Sequence, residues 1–164
     1  LLLTVRAAIP CGSQKNALAA KSGYTINSPC PENGICKVEV QKDSALVVKT
    51  DEATGKFYYE AESAPGKSSV TDSFTKNTSP HLADDGYIEK IVFETTNDFS
   101  GLKNIKNIED TKMLFGVMCF CKGKAGFYKV KEGTLTYKKD QLKITLPDII
   151  DKQKLKNIDI QFNK

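Results

Sequence analysis

The sequence predicts an all-β domain, an antiparallel two-sheet sandwich with one short helix, and three observations carry that prediction. From Gly23 onward apolar residues recur with period two, as they do in strands with one buried face. Turn-forming residues interrupt that pattern at short, fairly regular intervals. The third observation is the count of nine or ten such segments, enough to build two packed sheets or, as the alternative, a closed barrel.

Taken in order, Ile35 to Gln41 alternates cleanly, with Cys36, Val38 and Val40 inward and Lys37, Glu39 and Gln41 outward. A turn at Lys42-Asp43-Ser44 leads to Ala45–Val48, apolar on both faces. Thr50 to Gly55 turns the chain into Phe57–Glu62, and Pro65-Gly66 turns it into Ser69–Lys76, giving a four-strand meander. Asn77 to Asp85 reads as a loop and Tyr87–Glu94 as a strong strand. Between Asn97 and Asp110 the period changes to three, through Leu102, Ile105 and Ile108, and predicts the short helix with Ser100 as its cap. Lys112 to Cys121 is a strand buried on both faces, with Phe115, Val117, Cys119 and Cys121 on one and Leu114, Met118 and Phe120 on the other. Phe127–Val130, Thr134–Tyr137, Leu142–Leu146 and Ile158–Phe162 complete the set.

Composition narrows the class. The 164 residues suit one domain with a sizeable core and a tether, and 40% hydrophobic with 27% charged residues is ordinary for a globular chain. The net charge of +4 falls to +3 once residues 1–10 are set aside, because Arg6 is their one charged residue. Arg6 is also the only arginine. The remaining cations are lysines interspersed with acids, a solvated surface rather than a nucleic-acid-reading stripe. No apolar run approaches the ~20 residues of a membrane-spanning helix.

The first residues predict the compartment. Leu1 to Ile9 is an apolar run that stops at Pro10-Cys11, and Gly12 to Lys21 is small and polar, as a flexible stand-off is. Residues 1–10 are read as a leader remnant, 11–22 as a tether and 23–164 as the β domain. Cys11 is then the lipid-attachment residue, placing an acyl anchor such as palmitate in the bilayer. The alternative is an ordinary first strand with Cys11 as a structural thiol. Cys11-Gly12-Ser13-Gln14-Lys15-Asn16 is similar to the mature starts of small outer-membrane lipoproteins of Bacteroidota, although Arg6 and Pro10 depart from the leader pattern. That resemblance implies an outer-membrane location, on the periplasmic face or the cell surface.

Five cysteines stand at Cys11, Cys30, Cys36, Cys119 and Cys121, and an odd number in an exported chain needs a reason. Lipidation of Cys11 supplies it and leaves four disulfide candidates. On an extended strand Cys119 and Cys121 are about 7 Å apart, which disfavours a bond between them. Two bridges from Cys30 and Cys36 to Cys119 and Cys121 are therefore expected. A Cys30–Cys36 bridge is the competing connectivity, and a four-thiolate metal site on the same residues is the minor alternative.

Little else carries chemistry. His81, followed by Asp84 and Asp85, is the single candidate general base for a hydrolase. Asp51-Glu52 and Asp84-Asp85 lack the ligand spacing of a calcium loop. Asp43-Ser44-Ala45 resembles the O-glycosylation site of Bacteroidota exported proteins, making Ser44 the glycosylation candidate, and Asn77-Thr78-Ser79 is an N-glycosylation sequon. Tyr58, Tyr59, Tyr87, Tyr128 and Tyr137 can line a sugar-binding face or simply pack across strands. With no phosphate loop, dinucleotide fingerprint or cofactor motif, the leading expectation is a non-enzymatic, outer-membrane-anchored accessory subunit of an envelope protein complex. A glycan or small-ligand binder is second and a hydrolase third.

Overall fold

The computed structural model describes residues 23–79, 81 and 84–163. The segments read as leader remnant and tether, with Cys11, lie outside them. Nine strands are described: β1 (Tyr24–Ile26), β2 (Gly34–Thr50), β3 (Phe57–Lys76), β4 (Tyr87–Thr96), β5 (Leu114–Cys119), β6 (Gly126–Lys129), β7 (Thr134–Lys138), β8 (Gln141–Thr145) and β9 (Asn157–Phe162). They form a four-stranded sheet, β1-β9-β8-β7, and a five-stranded sheet, β2-β3-β4-β5-β6, antiparallel throughout. The expected all-β sandwich is the architecture observed.

Its core follows from the period-two pattern. Val38, Val70, Phe74, Ile91, Phe93, Phe115 and Val117 come from the inner face of the larger sheet, and Leu142, Ile144, Ile158 and Ile160 from the smaller. Burying each such side chain contributes about 1.5–3 kcal/mol. The outward set Lys37, Glu39 and Gln41 is exposed as expected. Strand β1 extends the pattern to Tyr24–Ile26, where three residues are too short a window for periodicity, and is held by pairing with β9 at the far end of the chain.

The meander is replaced by one long hairpin. Lys42-Asp43-Ser44 and Pro65-Gly66 do not end strands; they lie opposite each other and bend β2 and β3 together. The register passes from Lys42↔Ser68 to Ser44↔Ser63, so Asp43 faces four residues of β3. Asp43 and Gly66 both adopt left-handed backbone, φ 53° and 87°. The Asp43 carboxylate accepts the Gly66 N–H at 3.0 Å and the Asn97 amide at 2.7 Å, and these donors hold its carboxyl below the usual carboxylate range. Turn residues are thus used as a bend because their polar groups find partners across the strand pair.

Beyond the bend the hairpin curls over the outer face of the larger sheet, where Phe57 pairs with Phe127 of β6. Leu46, Val92 and Leu114 form a second small core there, flanked by Val48, Tyr59 and Phe127. Glu94 clamps it, accepting the Leu46 N–H at 2.9 Å and the ammonium groups of Lys67 at 2.8 Å and Lys112 at 2.9 Å.

The period of three between 97 and 110 is realised as two separate 3₁₀ turns, Ser100–Leu102 and Ile108–Thr111. That repeat suits three residues per turn, and Gly101 within the first turn with Asn104 and Asn107 between the two disfavours one continuous helix. Ser100 is the first residue of its turn rather than the cap. The capping acceptor is Asp98, which takes the N–H of Ser100 at 2.9 Å and its hydroxyl at 2.7 Å.

Candidate functional site

Strand β5 stops at Cys119 rather than continuing to Cys121, and the chain bends at Phe120. The bend brings the Cα atoms of Cys119 and Cys121 to 5.2 Å, and their sulfurs are bonded. Cys30 and Cys36 form the other bridge, with Cα atoms 5.7 Å apart. The expected bridges between the two pairs do not form. Cys36 sits on β2 and Cys119 on β5, with β3 and β4 between them. Three strand spacings amount to about 14 Å, beyond the reach of any disulfide. The same separation rules out one metal held by all four sulfurs, and no group of three or more His, Cys, Asp or Glu gathers to hold a metal among the described residues.

The two bridges therefore do different things. Cys30–Cys36 closes the Pro-rich lead-in onto β2, while Cys119–Cys121 encloses Phe120 alone. In the chain-entropy model the first contributes about 2.4 kcal/mol and the second about 1.6 kcal/mol, less than the long loops expected of interstrand bridges. Phe120 is thrown outward by its ring and is 79% exposed.

On one side of Phe120 an apolar hollow of about 570 Å³ runs along the outer face, walled by Ile88, Val117, Met118 and Phe127. Gly116 lets the Phe127 ring lie directly on β5, where a Cβ would collide with it. The cross-strand row Ile35–Thr75–Ile88–Met118 leads to the same corner, and Ile35 is 66% exposed. On the other side lies a cavity of about 450 Å³ whose wall is polar, including Lys76, Asp85, Tyr87, Lys124 and Lys154. Lys76 pairs with Asp85, and with the Ser79 N–H it keeps the Asp85 carboxyl below the usual range. Burial and the hydrogen bond to Glu89 push the Tyr87 phenol up. Glu89, fully buried, accepts the N–H groups of Lys154 and Leu155 and so fixes the loop that forms the cavity's far wall.

The other sequence candidates fall elsewhere. Cys11 lies outside the described residues. Ser44 is buried, its hydroxyl accepting that of Ser69 at 3.2 Å, so the folded chain leaves no room for a sugar on it. His81 is exposed, and its imidazole makes no hydrogen bond or ion pair among the described residues; Asp85 is committed to Lys76. Of the five candidate tyrosines only Tyr58 is exposed. Tyr59 packs edge-on against Phe127, Tyr128 donates to the Lys124 carbonyl at 2.8 Å, and Tyr137 donates to Asp140 at 3.0 Å, its phenol pushed up to about 12 by burial and that carboxylate. Sequence reasoning missed Phe120 as a surface residue because period two placed it beside Met118 on a buried strand.

No helix among the described residues is long and apolar enough to cross a membrane. Comparison of the chain with protein-family models, with curated proteins and with solved structures finds no match.

Proposed function

We propose that the domain is a non-enzymatic interaction module, tethered to the outer membrane through Cys11, that docks a partner protein of an envelope assembly on the corner around Phe120. The observation that carries the reading is the exposure of Phe120 on a covalently closed corner beside the apolar hollow. A large aromatic held out in water at the end of a row that includes exposed Ile35 has the character of an interface anchor. A glycan-binding role has less support, because four of the five tyrosines that suggested it are engaged in packing or hydrogen bonds.

Co-purification from the envelope tests the docking reading. Phe120→Ser, a surface change with little effect on folding, is expected to lower recovery of the co-purifying subunit at least about tenfold, the loss of a modest hot spot. Tyr58→Ser is expected to leave recovery unchanged. A Phe120→Ser chain that recovers the same subunit as fully, or a wild-type chain that recovers no partner and binds glycans as a free monomer, overturns the reading. The anchor is tested separately by mass spectrometry of the mature N-terminus. Diacylglycerol on Cys11 is the expected result; a mature chain carrying an unmodified Cys11 removes the tether.

A further inference from the structure

We infer that Cys119 and Cys121 are a thiol–disulfide exchange site whose co-substrate is a dithiol, distinct from the structural bridge Cys30–Cys36. The bond encloses one residue, begins at the last ladder pair of its strand (Tyr87↔Cys119), and ties no two elements of the sandwich together. Opening it therefore costs no strand pairing. Cys30–Cys36 differs on each count: Cys36 is inside β2, paired with Phe74, and its bridge secures the lead-in between β1 and β2.

The corner is open to a reagent, as Cys30 also is; what sets the corner apart is that its bond ties no two elements together. Both sulfur-bearing residues are half-exposed and line the mouth of the polar cavity. That wall carries four lysines (Lys76, Lys124, Lys152 and Lys154) and four acids (Glu32, Asp84, Asp85 and Asp151), so its formal charge is balanced. A thiolate of the dithiol attacks one sulfur, forming a mixed disulfide and expelling the other cysteine as a thiolate, which takes up a proton. The second thiol of the reagent then displaces the mixed bond. Two electrons and two protons pass to Cys119 and Cys121, and the reagent leaves as its disulfide.

The open form has somewhere to go. Released from the ring, the chain is free to straighten by continuing β5, which carries Phe120 toward Met118 on the outer face. That consequence rests on the docking reading; the exchange chemistry does not.

The test uses the full chain equilibrated in buffers of reduced and oxidised dithiothreitol, quenched with acid, and mapped by alkylation and peptide mass spectrometry. The freshly purified, unreduced chain is expected to carry the Cys119–Cys121 bond. Its two thiols are expected to appear together at a reduced-to-oxidised ratio about fourfold lower than that which opens Cys30–Cys36, with the near-ultraviolet dichroism of the core unchanged. A Cys30→Ser/Cys36→Ser chain is expected to titrate at the same ratio for the remaining pair. Free Cys119 and Cys121 in the unreduced chain, simultaneous opening of both bridges, or opening of Cys30–Cys36 first overturns the assignment. Because no partner enters the experiment, its failure is separate from a failure of Phe120→Ser to lose the subunit.

Discussion

Asp72→Asn is expected to stabilise the domain above pH 7 and to flatten its stability profile between about pH 4 and 7. Asp72 stands in the middle of the core face of β3, between Val38 on β2 and Ile91 on β4, and is only 3% exposed. Burial pushes its carboxyl up to about 7, and the backbone N–H of Ser73 offsets this only in part. An unfolded carboxyl titrates near 3.9. Between these values the folded chain holds a proton that the unfolded chain has released, so folding is favoured by acid over this range. The benefit is full below the unfolded value and is lost as pH rises through the folded one. Three pKa units set an upper bound of about 4 kcal/mol on that loss. Urea unfolding at pH 5 and pH 8 measures it: the wild-type midpoint falls with pH, the Asn variant's does not, and at pH 8 the variant is the more stable by about 2 kcal/mol. A variant less stable than wild type at pH 8 would show that the ionised carboxylate is stabilising where it stands.

Glu89→Ala is expected to destabilise by about 3–5 kcal/mol, because it strips an acceptor from several buried donors at once. The Glu89 carboxylate accepts the Lys154 N–H at 2.9 and 2.8 Å, the Leu155 N–H at 2.7 Å and the Tyr87 hydroxyl. These bonds tie the core face of β4 to the 152–155 loop, which Gln153 organises. Gln153 accepts the Ile149 N–H at 2.8 Å and donates to the Pro147 and Leu155 carbonyls at 3.1 and 2.7 Å. Glu89→Gln keeps one oxygen acceptor and is expected to cost roughly half as much. Amide exchange distinguishes loss of this tie from general weakening: Lys154 and Leu155 should lose protection before the strands do. Full protection at both amides in Glu89→Ala would mean that the loop is held by other contacts.

Both buried acids share the inward parity of apolar neighbours, and hydrophobicity by itself marks neither as a core residue. Asp72 interrupts Val70 and Phe74, and Glu89 lies in Tyr87–Glu94, where a polar residue reads as an outward position. Period two ranks residues by hydrophobicity, so it cannot reveal an acid whose burial is balanced by donors from residues 154 and 155, some sixty-five positions away. The same limit explains the hairpin. Lys42-Asp43-Ser44 and Pro65-Gly66 carry the composition of turns, yet their polar groups bond to each other and to Asn97, so the strands bend and continue.

The cysteine corner separates the local from the tertiary most clearly. An even set of four candidate disulfide residues could be read from the chain, as could the strand leading into them. Their pairing could not, because it depends on two facts that no spacing encodes: β3 and β4 lie between β2 and β5, and β5 ends one residue before Phe120. The first puts Cys36 and Cys119 about three strand spacings apart; the second brings Cys119 and Cys121 to 5.2 Å.

By itself the sequence determined the all-β sandwich, the inward and outward sets of its strands and most of its core, since each follows from an alternation that any folded arrangement must bury. Only the tertiary structure decided that four short strands are one bent hairpin, that two acids lie in the core, and that Phe120 stands in water on a closed ring. Those outcomes turn on partners distant in the chain, whose hydrogen bonds and strand order exist only once the sheets have formed.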